Sequence, residues 1–164
     1  PIMGGPIEHC IRGELTIDFA EKARKVLLNI DTWPDWNSSA IKVLTSDSGK
    51  MTVGQKLAFH SMNKGALIET RWDVESIREG EDFSEICLSL EGQLRMDKEV
   101  AKSITGLSRC ITVLAREGGG VEISTTWQIK GIARFFKKGF HRLIVSDSQR
   151  LLDDLLQYAS DTSK

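Results

Sequence analysis

The sequence predicts a two-layer α+β domain: a curved, seven-stranded antiparallel sheet around one long C-terminal helix, with two short helices after the first strand. Three observations predict it. Apolar residues recur at every second position through the middle of the chain. They recur at helical spacing near its end. Turn residues separate the alternating stretches by too few positions for anything but hairpins. A sheet with one apolar face and a helix with one apolar stripe satisfy each other by packing together.

Residues 7–17 alternate. Ile7, His9, Ile11, Gly13, Leu15 and Ile17 share one face, and Glu8, Cys10, Arg12, Glu14 and Thr16 the other, the pattern of a half-buried strand. Asp18 with Glu21 three residues later reads as a helix cap, and Phe19, Ala23, Val26, Leu27 and Ile30 form the apolar stripe that follows. Trp33-Pro34-Asp35-Trp36-Asn37 has room for only a short helical turn, because Pro34 suits a first turn and disfavours helix before it.

Six further strands are expected at 41–45, 55–62, 66–77, 84–91, 107–116 and 121–130, between turn-rich pieces such as 46–50, 63–65, 79–82 and 117–120. Residues 95–102 fit a strand extension, a polar loop or a helical turn. Phe136, Phe140, Leu143, Ile144, Leu151, Leu152, Leu155, Leu156 and Ala159 then return at helical spacing. Asp147 and Ser148 interrupt the stripe, and a bend or delayed start is expected near Gly139.

Composition bounds the function. The 164 residues are 40% apolar and 27% charged, the balance of a globular protein, which makes disorder or a small disulfide scaffold unexpected. Lys and Arg number 22 against 23 Asp and Glu, for a net charge of −1, which argues against nucleic acid as a partner. Cys10, Cys87 and Cys110 form no Cys-x-x-Cys motif and, odd in number and widely spaced, suit reduced thiols in a cytoplasmic protein. His9, His60 and His141 lie far apart, so no metal site and no cofactor are expected. No stretch approaches a membrane span, and the start lacks the character of a secretory leader. Walker, dinucleotide and Gly-x-Ser-x-Gly motifs are missing, as is any nucleophile with an identifiable base.

The element order resembles the START/Bet v 1-like (SRPBCC, helix-grip) superfamily. The resemblance is carried by the capped helix Asp18-Phe19-Ala20-Glu21, the Trp-Pro-x-Trp-Asn turn, Val53-Gly54-Gln55 opening a strand and the amphipathic C-terminal helix. Within that superfamily the chain looks most like the polyketide cyclase/dehydrase and lipid-transport group. The Gly-x-Gly-Gly-x-Gly loop of plant pathogenesis-related members is missing. The resemblance implies a single domain over 7–160 between short tails, 1–6 and 161–164. It also implies an apolar cavity between sheet and helix that holds a lipid, a polyketide or a similar small molecule. Its enzymatic members imply the alternative, a polyketide cyclase/aromatase. A ligand-free interaction or regulatory protein is a third reading.

Strand alternation aims Phe59, Ile68, Trp72, Leu88, Arg109, Ile111 and Trp127 at the sheet's inner face, and the helical stripe adds Phe140 and Ile144. These are the candidate ligand-binding residues, although a filled core would use the same ones. Arg109 either clamps a ligand anion or is turned outward by a register slip. His9 is either a proton shuttle for the cyclase reading, with Arg109 as electrophile, or a hydrogen-bonded core residue. Asp147 and Ser148 either reach into the cavity from the long helix or form a polar notch at the solvent edge. Trp33 and Trp36 are expected to anchor the short helix. Residues 130–142 carry five cations and no acid, interleaved with Phe135, Phe136 and Phe140. One reading is transient membrane-surface contact through Lys137, Lys138 and Arg142. The other packs the phenylalanines inward and leaves the cations solvated.

Overall fold

The computed structural model describes residues 5–163; of the two expected tails, residues 1–4 and 164 lie outside the described residues. The chain runs β1 (Ile7–Glu14), α1 (Ile17–Leu27), a 3-10 turn (Ile30–Thr32), α2 (Trp33–Trp36), β2 (Lys42–Thr45), β3 (Lys56–Asn63) and β4 (Ala66–Glu79). It continues through β5 (Phe83–Arg95), β6 (Lys98–Val100), β7 (Ile104–Leu114), β8 (Gly120–Ile129), a second 3-10 turn (Gly131–Phe136) and α3 (Lys137–Ser160). The strands form one antiparallel sheet in the order β1-β8-β7-β5-β4-β3-β2, with β6 paired to β5 alone. The first and last strands are therefore neighbours, and α3 lies against the inner face they help to make.

Local chemistry explains the starts and stops. Thr16 caps α1, its hydroxyl accepting from the Phe19 amide; the cap expected at Asp18 sits two residues too late, because the extended Thr16 backbone already ends β1's run. Residues 95–102 finish β5, turn through Met96 and Asp97 in the left-handed region (φ 51° and 65°) and form β6. The long helix begins at Lys137 and passes through Gly139 unbroken, so the irregularity expected there falls earlier, in the 3-10 turn.

Bulges re-aim the strands. Glu75 is unpaired between Val74 and Ser76, which moves the inward phase of β4 from even to odd positions and brings Ile77 opposite Ile86. Glu91 on β5 and the segment around Gly106 on β7 do the same, and such shifts bend a sheet. Inside the curve, α1 contributes Ala20, Ala23, Val26 and Leu27, and α3 contributes Ile144, Leu151, Leu152, Leu155 and Ala159. Removing the fully buried Leu155 or Ile111 from water is worth on the order of 1.5–3 kcal/mol each. Trp33 anchors the α2 turn as expected: its indole N–H donates to Leu27 O (3.0 Å), and its ring packs on Trp36 and Phe59 (centroids 4.8 and 5.3 Å).

One expectation about the cysteines is overturned. Cys87 and Cys110 sit directly opposite each other on β5 and β7 and are joined as a disulfide. Separation in sequence was no guide, because β6 leaves the sheet's main path and lets β7 pair with β5. Only Cys10 is free, and partial burial together with Glu122 pushes its thiol above the ordinary range, away from nucleophilic use.

Candidate functional site

Three strands place His9, Thr125 and Arg109 in one row: His9 of β1 pairs with Thr125 of β8, and Thr125 pairs with Arg109 of β7. Arg109 points inward and is buried, so no register slip turns it out. Its Nε donates to Thr125 Oγ1 (3.1 Å), one terminal nitrogen to Asp147 Oδ2 (2.6 Å) and the other to Ser148 Oγ (3.0 Å). The guanidinium carbon lies 5.8 Å from the Trp72 ring centre, within cation–π range. A buried guanidinium needs an anion. Here α3 supplies it, so Asp147 and Ser148 are a polar joint between helix and sheet, with Ser148 wholly buried and Asp147 reaching the solvent edge.

The network continues outward. Asp147 Oδ1 accepts from Arg150 (3.1 Å), and Arg150 also donates to Asp154 (2.7 Å) and to the Asn37 side chain (3.1 Å). Asp154 in turn accepts from the Ser38 amide (2.9 Å) and hydroxyl (2.7 Å). Burial pushes the Asp147 carboxyl up, but the Arg109 and Arg150 guanidiniums outweigh it and hold it below its ordinary value. Since Asp147 matches the charge of Arg109, the geometry gives Arg109 a joining role.

A second constellation lies along the same helix, toward its start. A pocket of about 620 Å³ opens between β1 and the first turns of α3, lined by Ile7, Lys137, Lys138, His141, Arg142, Val145 and Ser146. Ile7 and Val145 give it apolar walls, and the cations stand at its rim. The His141 ring packs on Trp127 (centroids 5.4 Å) and stands edge-on to His9 (6.3 Å). The Trp127 indole N–H and His9 Nδ1 are both buried without a hydrogen-bond partner, so His9 is not the hydrogen-bonded core residue its setting suggested. Among the described residues no group of His, Cys, Asp and Glu is placed to hold a metal ion, and no helix is long and apolar enough to cross a membrane.

The architecture matches solved structures over nearly its whole length. Ginseng major latex-like protein 151 from Panax ginseng superposes with a TM-score of 0.68 at 9% identity, over 96% of this chain and 100% of that one. Ara h 8.0201 gives 0.66 at 16% identity, over 94% and 97% of the two chains. The Zhui aromatase/cyclase from Streptomyces sp. R1128 gives 0.60 at 12%, over 98% and 96%. This is the START/Bet v 1-like fold. No family sequence model matches the chain, and no curated protein matches it in sequence.

Within the START/Bet v 1-like frame, the nine candidate binding residues fall into three groups. Phe59, Trp72, Leu88, Ile111, Trp127 and Ile144 belong to one contiguous buried cluster. Ile68 is buried apart from that cluster, and Phe140 is half-buried on α3. Arg109 is engaged with Asp147. The pocket uses other residues: Ile7, His141, Val145 and Ser146 were missed. A usable signal was present, since 137, 138, 141, 142 and 145 recur at the three- and four-residue spacing of one helical face.

Proposed function

We propose that the chain binds a hydrophobic small molecule of lipid or polyketide type between the sheet's β1 edge and α3. The observation that carries this reading is the pocket itself. Its volume of about 620 Å³ lies in the range of small-molecule sites, roughly 300–1,000 Å³, and its surface is mainly apolar although most of its lining residues carry a polar or charged end. Lys137, Lys138 and Arg142 at the rim favour a ligand with an acidic or strongly polar end. The fold is shared with proteins described as aromatase/cyclases and with a major latex-like protein, which supports the reading without naming a ligand.

The test is native mass spectrometry of the purified chain, followed by titration with an anilinonaphthalene sulfonate dye and displacement by palmitate. Bound molecule or saturable, displaceable dye is the expected result, and Val145→Trp, which fills the pocket, weakens binding by about tenfold or more. A chain with neither, and with Val145→Trp indistinguishable from it, would fit the ligand-free interaction reading instead.

A polyketide cyclase/aromatase acting in the same place is the second reading. The unpartnered Nδ1 of His9, close to the pocket-lining His141, favours it, because an imidazole nitrogen with no hydrogen-bond partner is free to take up or give up a proton. The proton chemistry then falls to this pair, since Arg109 is held by Asp147. In that case His9→Gln abolishes conversion of a poly-β-ketone substrate while leaving dye binding intact.

A further inference from the structure

The segment that leads into α3 does not bury its aromatic residues. Ile132, Phe135, Phe136 and Leu143 are 75%, 82%, 69% and 69% exposed, against the expectation that the phenylalanines pack inward. The reason is geometric: the chain turns through the 3-10 segment before α3 begins, and the first buried side chain of the helix is Ile144. Ile132 and Phe135 are three residues apart in a helix of three residues per turn and share a side. Phe136 precedes the first residue of α3, and Leu143 lies within its first two turns. The result is a run of exposed large apolar side chains, a ridge along residues 132–143, which protein surfaces rarely display without a use.

The charges around it are one-sided. Residues 130–142 carry Lys130, Arg134, Lys137, Lys138 and Arg142 and no Asp or Glu, in a chain whose net charge is −1. Apolar side chains that project outward, ringed by cations, match a bilayer surface with anionic headgroups: the rings enter the acyl boundary and the cations stay with the phosphates.

We infer that Ile132, Phe135, Phe136 and Leu143 dock the chain reversibly on an anionic lipid bilayer. The inference does not depend on whether the neighbouring pocket is occupied.

The test is co-sedimentation of the full chain with phosphatidylcholine vesicles and with vesicles holding about one third phosphatidylglycerol. The expected result is binding to the anionic vesicles, several-fold weaker on raising salt from about 0.1 M to about 0.5 M, and weak or no binding to phosphatidylcholine alone. The double substitution Phe135→Ser/Phe136→Ser lowers partitioning by about tenfold or more while dye binding in the pocket and Tm stay unchanged. Leu143→Gln, on α3 itself, lowers it independently should the double variant misfold. Absence of binding to anionic vesicles overturns the inference, as does binding that these substitutions leave intact. So does a dimer, by light scattering, that the same substitutions dissociate, because a second copy then covers the ridge.

Discussion

Arg109 and Asp147 are 38 residues apart in the chain and 2.6 Å apart in the fold. One comes from the sheet's inner face and the other from the long helix. Their ion pair, with Thr125 and Ser148 at hydrogen-bond distance, is where a polar joint crosses an otherwise apolar interface. The two partners are not equivalent, because Arg109 is buried while the Asp147 side chain is 44% exposed and also paired to Arg150.

That asymmetry sets the first prediction. Asp147→Ala leaves a buried guanidinium without its anion and costs about 2–3 kcal/mol, below the full penalty for a sealed pair because water reaches the site. Arg109→Met removes the charge and leaves a carboxylate that water and Arg150 still satisfy, so the loss is under about 1.5 kcal/mol. Urea unfolding of the two variants gives the order; an Arg109→Met loss equal to or above that of Asp147→Ala contradicts the joint.

The second prediction concerns acid. The Asp147 carboxyl is lowered in the folded protein, so its contribution is complete above its ordinary value of 3.8 and fades as pH falls through that value toward the lower native one. Glu69, held low chiefly by its hydrogen bond with His60, and Asp73, held low by Glu91 and Lys56, add slope of the same sign. The informative quantity is therefore a difference. The Tm gap between the parent chain and Asp147→Asn is constant from about pH 7 to 5 and narrows below about pH 4. A gap that widens on acidification would show the carboxyl is not stabilised in its charged form.

The third is a thiol count. With Cys87 and Cys110 bonded, the native chain shows one slowly reacting thiol, Cys10, and three after reduction and denaturation. The bond spans 23 positions, so its loss costs about 3 kcal/mol by chain entropy and lowers Tm under dithiothreitol. Three reactive thiols in freshly denatured, unreduced protein would remove the bond from the description.

The fourth tests the seam between the first and last strands. Gly120 has φ 151°, and a Cβ there would stand 2.0 Å from the Gly13 carbonyl oxygen and 2.8 Å from Glu14 Cα, both backbone atoms that cannot turn aside. Gly120→Ala is expected to cost about 2–4 kcal/mol. Gly13→Ala is milder, because the atom it meets is the tip of Leu156, a side chain that can rotate. Thermal melts of both variants check the order.

Much of the fold was legible because it is local. The alternation that set Phe59, Ile68, Trp72, Leu88, Arg109, Ile111 and Trp127 inward is met by buried side chains at each of these positions. Period two and period 3.6 are properties of neighbouring residues, and so are the Trp-Pro turn and the stripe of α3. The inward placement of Arg109 followed from the same alternation; the partner that makes that placement stable did not.

What only the tertiary structure decided is which distant residues meet. The bond between Cys87 and Cys110, the bulges at Glu75 and Glu91, the row His9–Thr125–Arg109 and the pairing of Arg109 with Asp147 all depend on register between strands or on how α3 lies across the sheet. Register is a cooperative choice, and one inserted residue reverses every side chain beyond it. The pocket and the exposed ridge have the same origin, since both follow from where α3 begins to touch the sheet. The amino-acid order by itself determined the alternation between bulges; strand register and the packing of α3 determined where that alternation switches phase and which inward residues find a partner.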